Sequence, residues 1–201
     1  SHLGVKLVTV SPNNQKYNLP SIQGLYVLFD AEKGTPLMLL DAKELTARRT
    51  AASSALASSF LSRVDSETLL MVGTGTLAPY LIEAHATVRR YNRILIWGRN
   101  RDKAQAICDA LNPKMDVQIT RVEDLEKGIK QADVVSCATL SATPLILGAW
   151  LKPGQHIDLV GAYKPDMREA DDALMLKSKI YVDTPMALKE TGDLLIPMTK
   201  G

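Results

Sequence analysis

Short apolar runs alternate with helix-forming segments along the chain from about residue 64 onward. Six runs predict strands, at 69–72 (LLMV), 94–97 (ILIW), 117–120 (VQIT), 133–138 (DVVSCA), 156–161 (HIDLVG) and 179–183 (KIYVD). Helices are predicted between the first four, at 76–88, 102–111 and from Glu123 onward. Because the strands are short, almost wholly apolar and rich in valine and isoleucine, they predict a parallel sheet covered on both faces. The alternation predicts a doubly wound α/β domain, in which the loops after the strands meet at one edge.

The first 62 residues show a different pattern. Their apolar runs predict strands at 5–10 (VKLVTV), 22–30 (IQGLYVLFD) and 36–40 (PLMLL), and then one long helix over roughly 42–61. Asp41, with Glu44 three residues later, fits a capping arrangement at the start of this helix. We therefore predict a smaller α+β domain over 1–62, an α/β domain over 63–185 and a final segment over 186–201.

Composition and charge exclude several classes of protein. With 46% hydrophobic and 23% charged residues among 201, the chain is typical of a globular protein with a buried core. A net charge of +2 is too small for a nucleic-acid-binding surface, and no apolar run approaches the roughly 18 residues of a membrane span. Two cysteines in separate elements indicate neither a disulfide framework nor a zinc site. We expect a cytoplasmic protein with no metal, no nucleic-acid partner and no membrane partner.

The candidate chemistry begins at GTGTLA, residues 73–78, which we call the glycine turn. It matches the pattern G-x-G-x-x-G/A, and it follows a predicted strand and opens a predicted helix, as that pattern requires. Glycine permits a tight turn and a close approach of a pyrophosphate, and the free N–H groups of a helix start favour the anion. The turn predicts a dinucleotide site; the alternative is a structural turn without a cofactor. The predicted cofactor contacts here are Gly73, Thr74, Gly75, Thr76, Leu77 and Ala78.

The end of the second predicted strand indicates which dinucleotide such a site takes. An NAD site usually has an acidic residue about here for the ribose hydroxyls, but this strand is followed by Gly98, Arg99, Asn100 and Arg101. At an effective dielectric near 20 and a separation of ~5 Å, each guanidinium attracts each unit of phosphate charge by about 3 kcal/mol before desolvation. Arg99, Asn100 and Arg101 therefore predict NADPH, with NADH possible. The alternative is a set of solvated residues at a helix start, with Asn100 as the N-cap.

Several motifs in order along the whole chain resemble the ornithine cyclodeaminase/mu-crystallin family: LTARRTAASSALAS, VGTGTLAPYLIEAH, WGRNRDKA, LVGAYKPDMREADD and LKETGDLL. The resemblance implies a Rossmann domain for a nicotinamide cofactor and a second domain that carries substrate and dimer contacts. In the family that second domain is built from both ends of a longer chain. We therefore expect this sequence to be a piece of a longer homodimeric protein, in which 186–201 returns to the first domain.

The resemblance also implies roles for single residues. It assigns Lys6 and Arg49 to the carboxylate of a small imino-acid substrate, whereas Arg48 is expected to be a solvated helix residue. A guanidinium can make two charge-assisted hydrogen bonds to a carboxylate, each worth roughly 1.5–3 kcal/mol. A strand lysine is costly to bury unless an anion meets it, and the alternative for Lys6 is an edge lysine with its head in water. The cofactor contacts predicted elsewhere along the chain are Thr50, Thr139, Val160 and Gly161.

One position departs from the cyclodeaminases. In those family members an aspartate that acts in deamination follows the fifth strand, and Tyr163 stands at the matching position here, three residues before Asp166. A tyrosine near neutral pH is neither a carboxylate nor a ready base. We therefore predict NADPH-dependent reduction of the cyclic ketimines piperideine-2-carboxylate and pyrroline-2-carboxylate to L-pipecolate and L-proline. The alternatives are an ornithine cyclodeaminase with NAD and a crystallin-like protein that binds NADPH and a small ligand without turnover. Asp193 is a further candidate to face the site.

Overall fold

The computed structural model describes residues 1–20 and 22–200, so Ser21 and the last residue of the predicted final segment, Gly201, lie outside the described residues. The strands are β1 (His2–Val10), β2 (Ile22–Asp30), β3 (Pro36–Asp41), β4 (Thr68–Val72), β5 (Arg93–Trp97), β6 (Gln118–Arg121), β7 (Val134–Cys137) and β8 (His156–Leu159). The α-helices are α1 (Ala42–Leu61), α2 (Leu77–Val88), α3 (Arg101–Leu111), α4 (Leu125–Gln131), α5 (Asp172–Lys177), α6 (Ala187–Glu190) and α7 (Gly192–Lys200). Among these helices none is both long and apolar enough to cross a membrane.

The chain divides into two compact units between Thr50 and Ala51, within α1. Residues from Ala51 onward, including α6 and α7, belong to the second unit. The domain boundaries predicted from the sequence, after 62 and after 185, stay predictions.

The first unit is an antiparallel sheet in the order β1-β2-β3, followed by the start of α1. Lys6 lies opposite Tyr26, and Tyr26 lies opposite Leu40, so these three side chains share one face of the sheet. Asp41 begins α1 as predicted, because its Oδ1 accepts the backbone N–H groups of Lys43 at 2.7 Å and Glu44 at 2.9 Å. The opposite face of the sheet exposes Leu3, Val5, Leu7, Leu25, Leu37 and Leu39.

The second unit contains a five-stranded parallel sheet in the order β6-β5-β4-β7-β8. β4 is at its centre, and all five of its residues are buried. Alternate residues of β4 enter different core clusters: Leu69 and Met71 pack with α2 and α3, whereas Leu70 and Val72 pack with α4 and α5. A strand whose successive side chains need cover on opposite faces requires a layer of helices on each face. The predicted doubly wound α/β fold, with the Rossmann strand order, is confirmed.

The prediction of a sixth strand at 179–183 is wrong. The structure has no strand there, β8 is an edge of the sheet, and Ile180, Tyr181 and Val182 are exposed. An apolar run shows only that side chains are able to cover a sheet, whereas a strand also needs backbone hydrogen bonds to a neighbour. In the described residues this segment has no such pairing, so its apolar pattern misled the prediction.

A buried polar cluster lies between α2 and the β7–β8 side of the sheet. The carboxylate Oδ2 of Asp158 is 3.2 Å from His85 Nε2 and accepts a hydrogen bond from Ser136 Oγ at 2.9 Å. Burial raises the pKa of Asp158, but the hydrogen bonds and the charges of the neighbouring histidines outweigh it and hold that pKa below its usual range. Burial lowers the pKa of His156, although the charge of Asp158 opposes this. The cluster therefore links folding to pH.

We expect the free energy of unfolding to fall as pH decreases through about 6.5, partly because of His156. Since its pKa is lower in the folded than in the unfolded chain, the unfolded chain binds the proton more readily in this range. His156→Asn should make the loss of stability between pH 7.5 and pH 5.5 shallower, as measured by urea unfolding. The exposed His2, replaced in the same way, is the matched control and should leave the slope unchanged. Parallel pH profiles for the His156 variant and the wild type would contradict this expectation.

Candidate functional site

A pocket of about 270 Å³ in the first unit brings together the two residues predicted to bind the substrate. Its lining residues are Lys6, Tyr26, Leu45, Thr46 and Arg49. Lys6 and Tyr26 are cross-strand neighbours on β1 and β2, and the other three come from the first turns of α1. The sheet register and the helical repeat therefore place a lysine and an arginine around one cavity.

The pocket is suited to an anion. Lys6 Nζ donates to Thr46 Oγ1 at 2.6 Å, and Thr46 Oγ1 in turn donates to the carbonyl of Ala42 at 2.5 Å. The Thr46 hydroxyl thus offers a lone pair to Lys6, whose ammonium group keeps two further N–H donors. Arg49 is exposed and, within the part of the chain that the structure describes, its guanidinium has no ion pair. Since none of the five lining residues is acidic, both cations are available to a carboxylate.

Tyr26 and Thr46 were not predicted from the sequence. Gly4 was the one sequence signal that pointed to Tyr26. A Cβ atom on Gly4 would lie 1.7 Å from Tyr26 Oη, so the tyrosine ring extends across β1 at a position that only glycine leaves open. A glycine inside an apolar strand indicates such a close approach. Thr46 lies three residues before Arg49, which places both on one face of α1.

In the second unit, the two glycines of the glycine turn have different structural roles. Gly73 has φ +115°, and a Cβ atom there would lie 2.5 Å from the carbonyl oxygen of Ala138. Gly75 leaves open space, because a Cβ atom there would meet nothing within 4 Å. Thr76 precedes α2 without a capping side-chain hydrogen bond, so the first N–H groups of the helix are free of that partner. The geometry leaves room for an anion beside Gly75 and the start of α2.

The glycine turn lies at the switch point of the sheet, where β4 and β7 are neighbours but the chain passes from β4 to β5 on the other side. The predicted contacts Thr139 and Gly161 follow β7 and β8 at the same edge, and a Cβ atom on Gly161 would lie 1.9 Å from the carbonyl oxygen of Thr139. Val160 donates its N–H to the carbonyl of Cys137 at 2.8 Å. The structure therefore brings the predicted contacts of the second unit after β4, β7 and β8 together.

Glu169 joins these loops, and sequence reasoning missed it. Its Oε1 accepts from the N–H of Thr139 at 2.5 Å and from Thr139 Oγ1 at 2.7 Å, and its Oε2 accepts from the N–H of Gly161 at 2.7 Å. Glu169 is fully buried, and this burial raises the pKa of its carboxyl group against the effect of the hydrogen bonds. No spacing pattern in the sequence marks it, because its partners follow two other strands.

The basic segment after β5 is only partly as expected. Arg99 is exposed, and no ion pair to it occurs in the described residues, whereas Arg101 Nε is 2.8 Å from Glu123 Oε2. The Oδ1 atom of Asn100 accepts the N–H of Lys103 at 2.9 Å, so the alternative prediction of an N-cap holds for this side chain. Glu123, which also pairs with Arg121, follows β6 and was predicted only as the start of a helix.

Three further candidates are Thr50, Asp193 and Tyr163. Thr50 is in α1 beside Arg49 and is half-buried. Asp193 is buried, and its Oδ1 accepts the N–H groups of Glu169 and Ala170 at 2.9 Å each, so it supports the backbone next to Glu169. Tyr163 is exposed, with the Nζ of Lys164 5.6 Å from its ring centroid. Across residues 1–20 and 22–200, no group of His, Cys, Asp and Glu side chains is arranged to hold a metal ion.

The two glycines should respond differently to replacement by alanine. Gly73→Ala should lower the free energy of unfolding by roughly 1–3 kcal/mol or more, because alanine disfavours a positive φ and its methyl group would meet the Ala138 carbonyl. Gly75→Ala is the matched control and should change stability by less than about 1 kcal/mol, since its methyl group enters open space. Urea unfolding of both variants measures the difference, and equal losses would contradict these roles.

The chain matches known proteins along nearly its whole length. The profile described as "Ornithine cyclodeaminase/mu-crystallin family" matches residues 1–200. Delta(1)-pyrroline-2-carboxylate reductase of Paracoccus denitrificans is 40% identical over 200 residues, covering 98% of this chain and 63% of the reductase. Ketimine reductase mu-crystallin of Rattus norvegicus is 36% identical over 195 residues, covering 96% of this chain and 61% of that protein.

A solved structure shares the fold. It is that of Thermococcus litoralis Delta(1)-pyrroline-2-carboxylate reductase in complex with NADH and L-proline, with a TM-score of 0.91 and 34% identity. The match covers 98% of this chain and 62% of the Thermococcus chain. The present chain thus spans between 61% and 63% of the length of these three relatives.

Proposed function

The chain belongs to the ornithine cyclodeaminase/mu-crystallin family, and on this premise we propose that it is part of an NADPH-dependent reductase of cyclic ketimine carboxylates. Its substrates are piperideine-2-carboxylate and pyrroline-2-carboxylate, and its products are L-pipecolate and L-proline. The observation that carries the proposal is the pocket whose lining, in the described residues, contains Lys6 and Arg49 and no acidic side chain. Such a pocket fits a small substrate that carries one carboxylate.

The residues of the first unit bind and orient this substrate. Arg49 has the planar donor geometry for a bidentate bond to the carboxylate, and Lys6, held by Thr46, supplies a second cation. A protonated imine accepts hydride more readily than a neutral one, so the substrate is expected to react in its protonated form, with its carboxylate bound by Lys6 and Arg49. The residues of this chain then contribute to catalysis mostly by positioning the substrate for hydride transfer.

The second unit supplies the residues that suit a dinucleotide. The open space at Gly75 and the uncapped start of α2 fit a pyrophosphate, and Arg99 has no carboxylate partner in the described residues. When bound, the nicotinamide supplies the hydride. The Thermococcus relative was solved with NADH. The proposal of NADPH therefore rests mainly on Arg99, because Arg101 is paired with Glu123, and on the lack of an acidic residue among residues 98–101.

Two alternatives remain to be separated by experiment. A cyclodeaminase needs an acidic group that the matching position, Tyr163, does not supply. A crystallin-like protein that binds NADPH and a small ligand without turnover would use the same residues, so only a rate measurement distinguishes it from the reductase.

The deciding assay follows the absorbance of reduced nicotinamide in the complete protein with piperideine-2-carboxylate, pyrroline-2-carboxylate and ornithine in parallel. We expect consumption of NADPH with at least one ketimine and no reaction with ornithine. Ornithine turnover without net consumption of the cofactor would identify a cyclodeaminase. Binding of NADPH without turnover of either ketimine would leave the crystallin-like alternative and overturn the reductase.

Arg49 and Arg48 form a matched pair for the substrate-binding part of the proposal. Arg49→Gln removes the bidentate donor and should raise KM for the ketimine by roughly tenfold to a hundredfold. Arg48 is paired with Glu44 at 2.6 Å on the exposed side of the helix, so Arg48→Gln carries the same change of charge and should leave KM within about twofold. Equal KM values for the two variants in the absorbance assay would contradict the role of Arg49.

Arg99 should discriminate between the two dinucleotides. Arg99→Asp places a negative charge near the proposed 2′-phosphate and should raise KM for NADPH roughly tenfold or more, with a much smaller effect on KM for NADH. Arg90 is also exposed but follows the C-terminal end of α2, whereas the glycine turn precedes its N-terminal end. Arg90→Asp is therefore the control for net charge. A parallel rise of both KM values in the Arg99 variant would show that this residue does not recognise the phosphate.

We also propose that the protein forms a homodimer. The apolar face of the first unit's sheet, formed by Leu3, Val5, Leu7, Leu25, Leu37 and Leu39, supports this proposal because exposed apolar patches mark association surfaces. The cytoplasmic location stays a prediction.

A further inference from the structure

We propose that Glu169 is a positioning residue for the dinucleotide, because its carboxylate holds the loop after β7 and the loop after β8 in one fixed arrangement. The inference rests on the proposed function, in that it assigns the residue that shapes the cofactor-binding edge. Neither the family match nor the motifs of the sequence assign this role to Glu169.

The carboxylate is bound from both loops. Oε1 accepts from the N–H and the hydroxyl of Thr139 and from the thiol of Cys137 at 3.1 Å, whereas Oε2 accepts from the N–H of Gly161. All four partners are donors, so an acceptor-only carboxylate satisfies every one of them. Glu169 is 0% exposed, so bulk water does not reach its carboxylate.

The arrangement extends to the glycine turn. A Cβ atom on Gly73 would lie 2.5 Å from the carbonyl oxygen of Ala138 and 3.3 Å from Thr139 Cγ2. A Cβ atom on Gly161 would lie 1.9 Å from the carbonyl oxygen of Thr139 and 2.5 Å from Glu169 Oε1. The three loops are therefore packed backbone against backbone, and displacement of the Thr139 loop would displace the turn proposed to bind the pyrophosphate.

Glu169 is itself held in place. Asp193, at the start of α7, accepts the backbone N–H groups of both Glu169 and Ala170 through Oδ1. The Nε of Arg168, the preceding residue, donates to the carbonyl of Ala170 at 2.8 Å. The backbone that carries the carboxylate is thus fixed by side chains on either side, as positioning requires.

Glu169→Gln is the informative variant, because it keeps the size of the side chain and replaces one acceptor by an NH₂ donor. Whichever way the amide is oriented, that donor faces the backbone N–H of Gly161 or of Thr139, neither of which is able to accept. One loop therefore loses its backbone hydrogen bond to residue 169. Asp171 is the matched control. Its carboxylate lies two residues further on, caps α5 through Leu174 N and accepts the N–H of Gly148, but in the described residues it bonds to neither Thr139 nor Gly161.

The test measures dinucleotide binding and stability together in the complete protein. We expect Glu169→Gln to raise Kd for both NADPH and NADH by roughly tenfold at temperatures where the variant is folded. We expect Asp171→Asn to lower stability to a comparable extent and leave both Kd values within about twofold. Wild-type Kd values in Glu169→Gln, or an equal weakening in Asp171→Asn, would overturn the positioning role.

Amide hydrogen exchange of the wild type covers the case in which Glu169→Gln does not fold. The N–H groups of Thr139 and Gly161 should gain protection together when NADPH is added, because one carboxylate holds both. Unchanged or independent protection at the two amides would contradict the inference. If the wild type binds neither dinucleotide, both the proposed function and this inference are overturned. If it binds them but the tests above fail, the positioning role alone is overturned.

Discussion

The backbone of Gly73 lies so close to the carbonyl of Ala138 that no side chain fits between them, and the edge of the second unit that is proposed to bind the dinucleotide depends on this contact. β4 and β7 are hydrogen-bonded neighbours, so the loops that follow them must leave the sheet side by side. Only a residue without a Cβ atom, and with a positive φ, lets the first loop turn away into α2. Glu169 then joins the second loop to the loop after β8. The loops after the three neighbouring strands β4, β7 and β8 are thus held together by one close backbone contact and by one carboxylate.

The proposed sites in the two units depend on different interactions. The edge of the second unit depends on backbone packing and on buried hydrogen bonds to Glu169. The pocket of the first unit depends on charge. Lys6 and Arg49 are both exposed, and the hydrogen bond from Lys6 to Thr46 links the strand to the helix. Because both side chains are solvated, leaving them without an acidic partner costs little free energy. Their attraction to a carboxylate becomes strong only when the bound carboxylate displaces water.

The fold was largely predictable because its signals are local. The runs LLMV and ILIW, the glycine turn and the capping residue Asp41 each carry their information within a few residues, and the elements they predict are present. The segment KIYVD was misassigned, since apolar periodicity does not report whether a neighbouring strand is present to pair with it. Lys6 and Arg49 came from a family resemblance, and the structure places them at one pocket. Glu169, Glu123 and Tyr26 escaped prediction because each acts through partners far along the chain, and single-sequence patterns do not contain such pairings.

In the proposed reaction, hydride passes from NADPH to the imine carbon of a cyclic ketimine carboxylate. The most direct measurement uses NADPH that carries deuterium at the transferable position of its nicotinamide, with pyrroline-2-carboxylate or piperideine-2-carboxylate, and analyses the product by mass spectrometry. We expect L-proline or L-pipecolate with a single deuterium at the α carbon. An undeuterated product, or none under conditions where the protein binds both ligands, would contradict the proposed reaction.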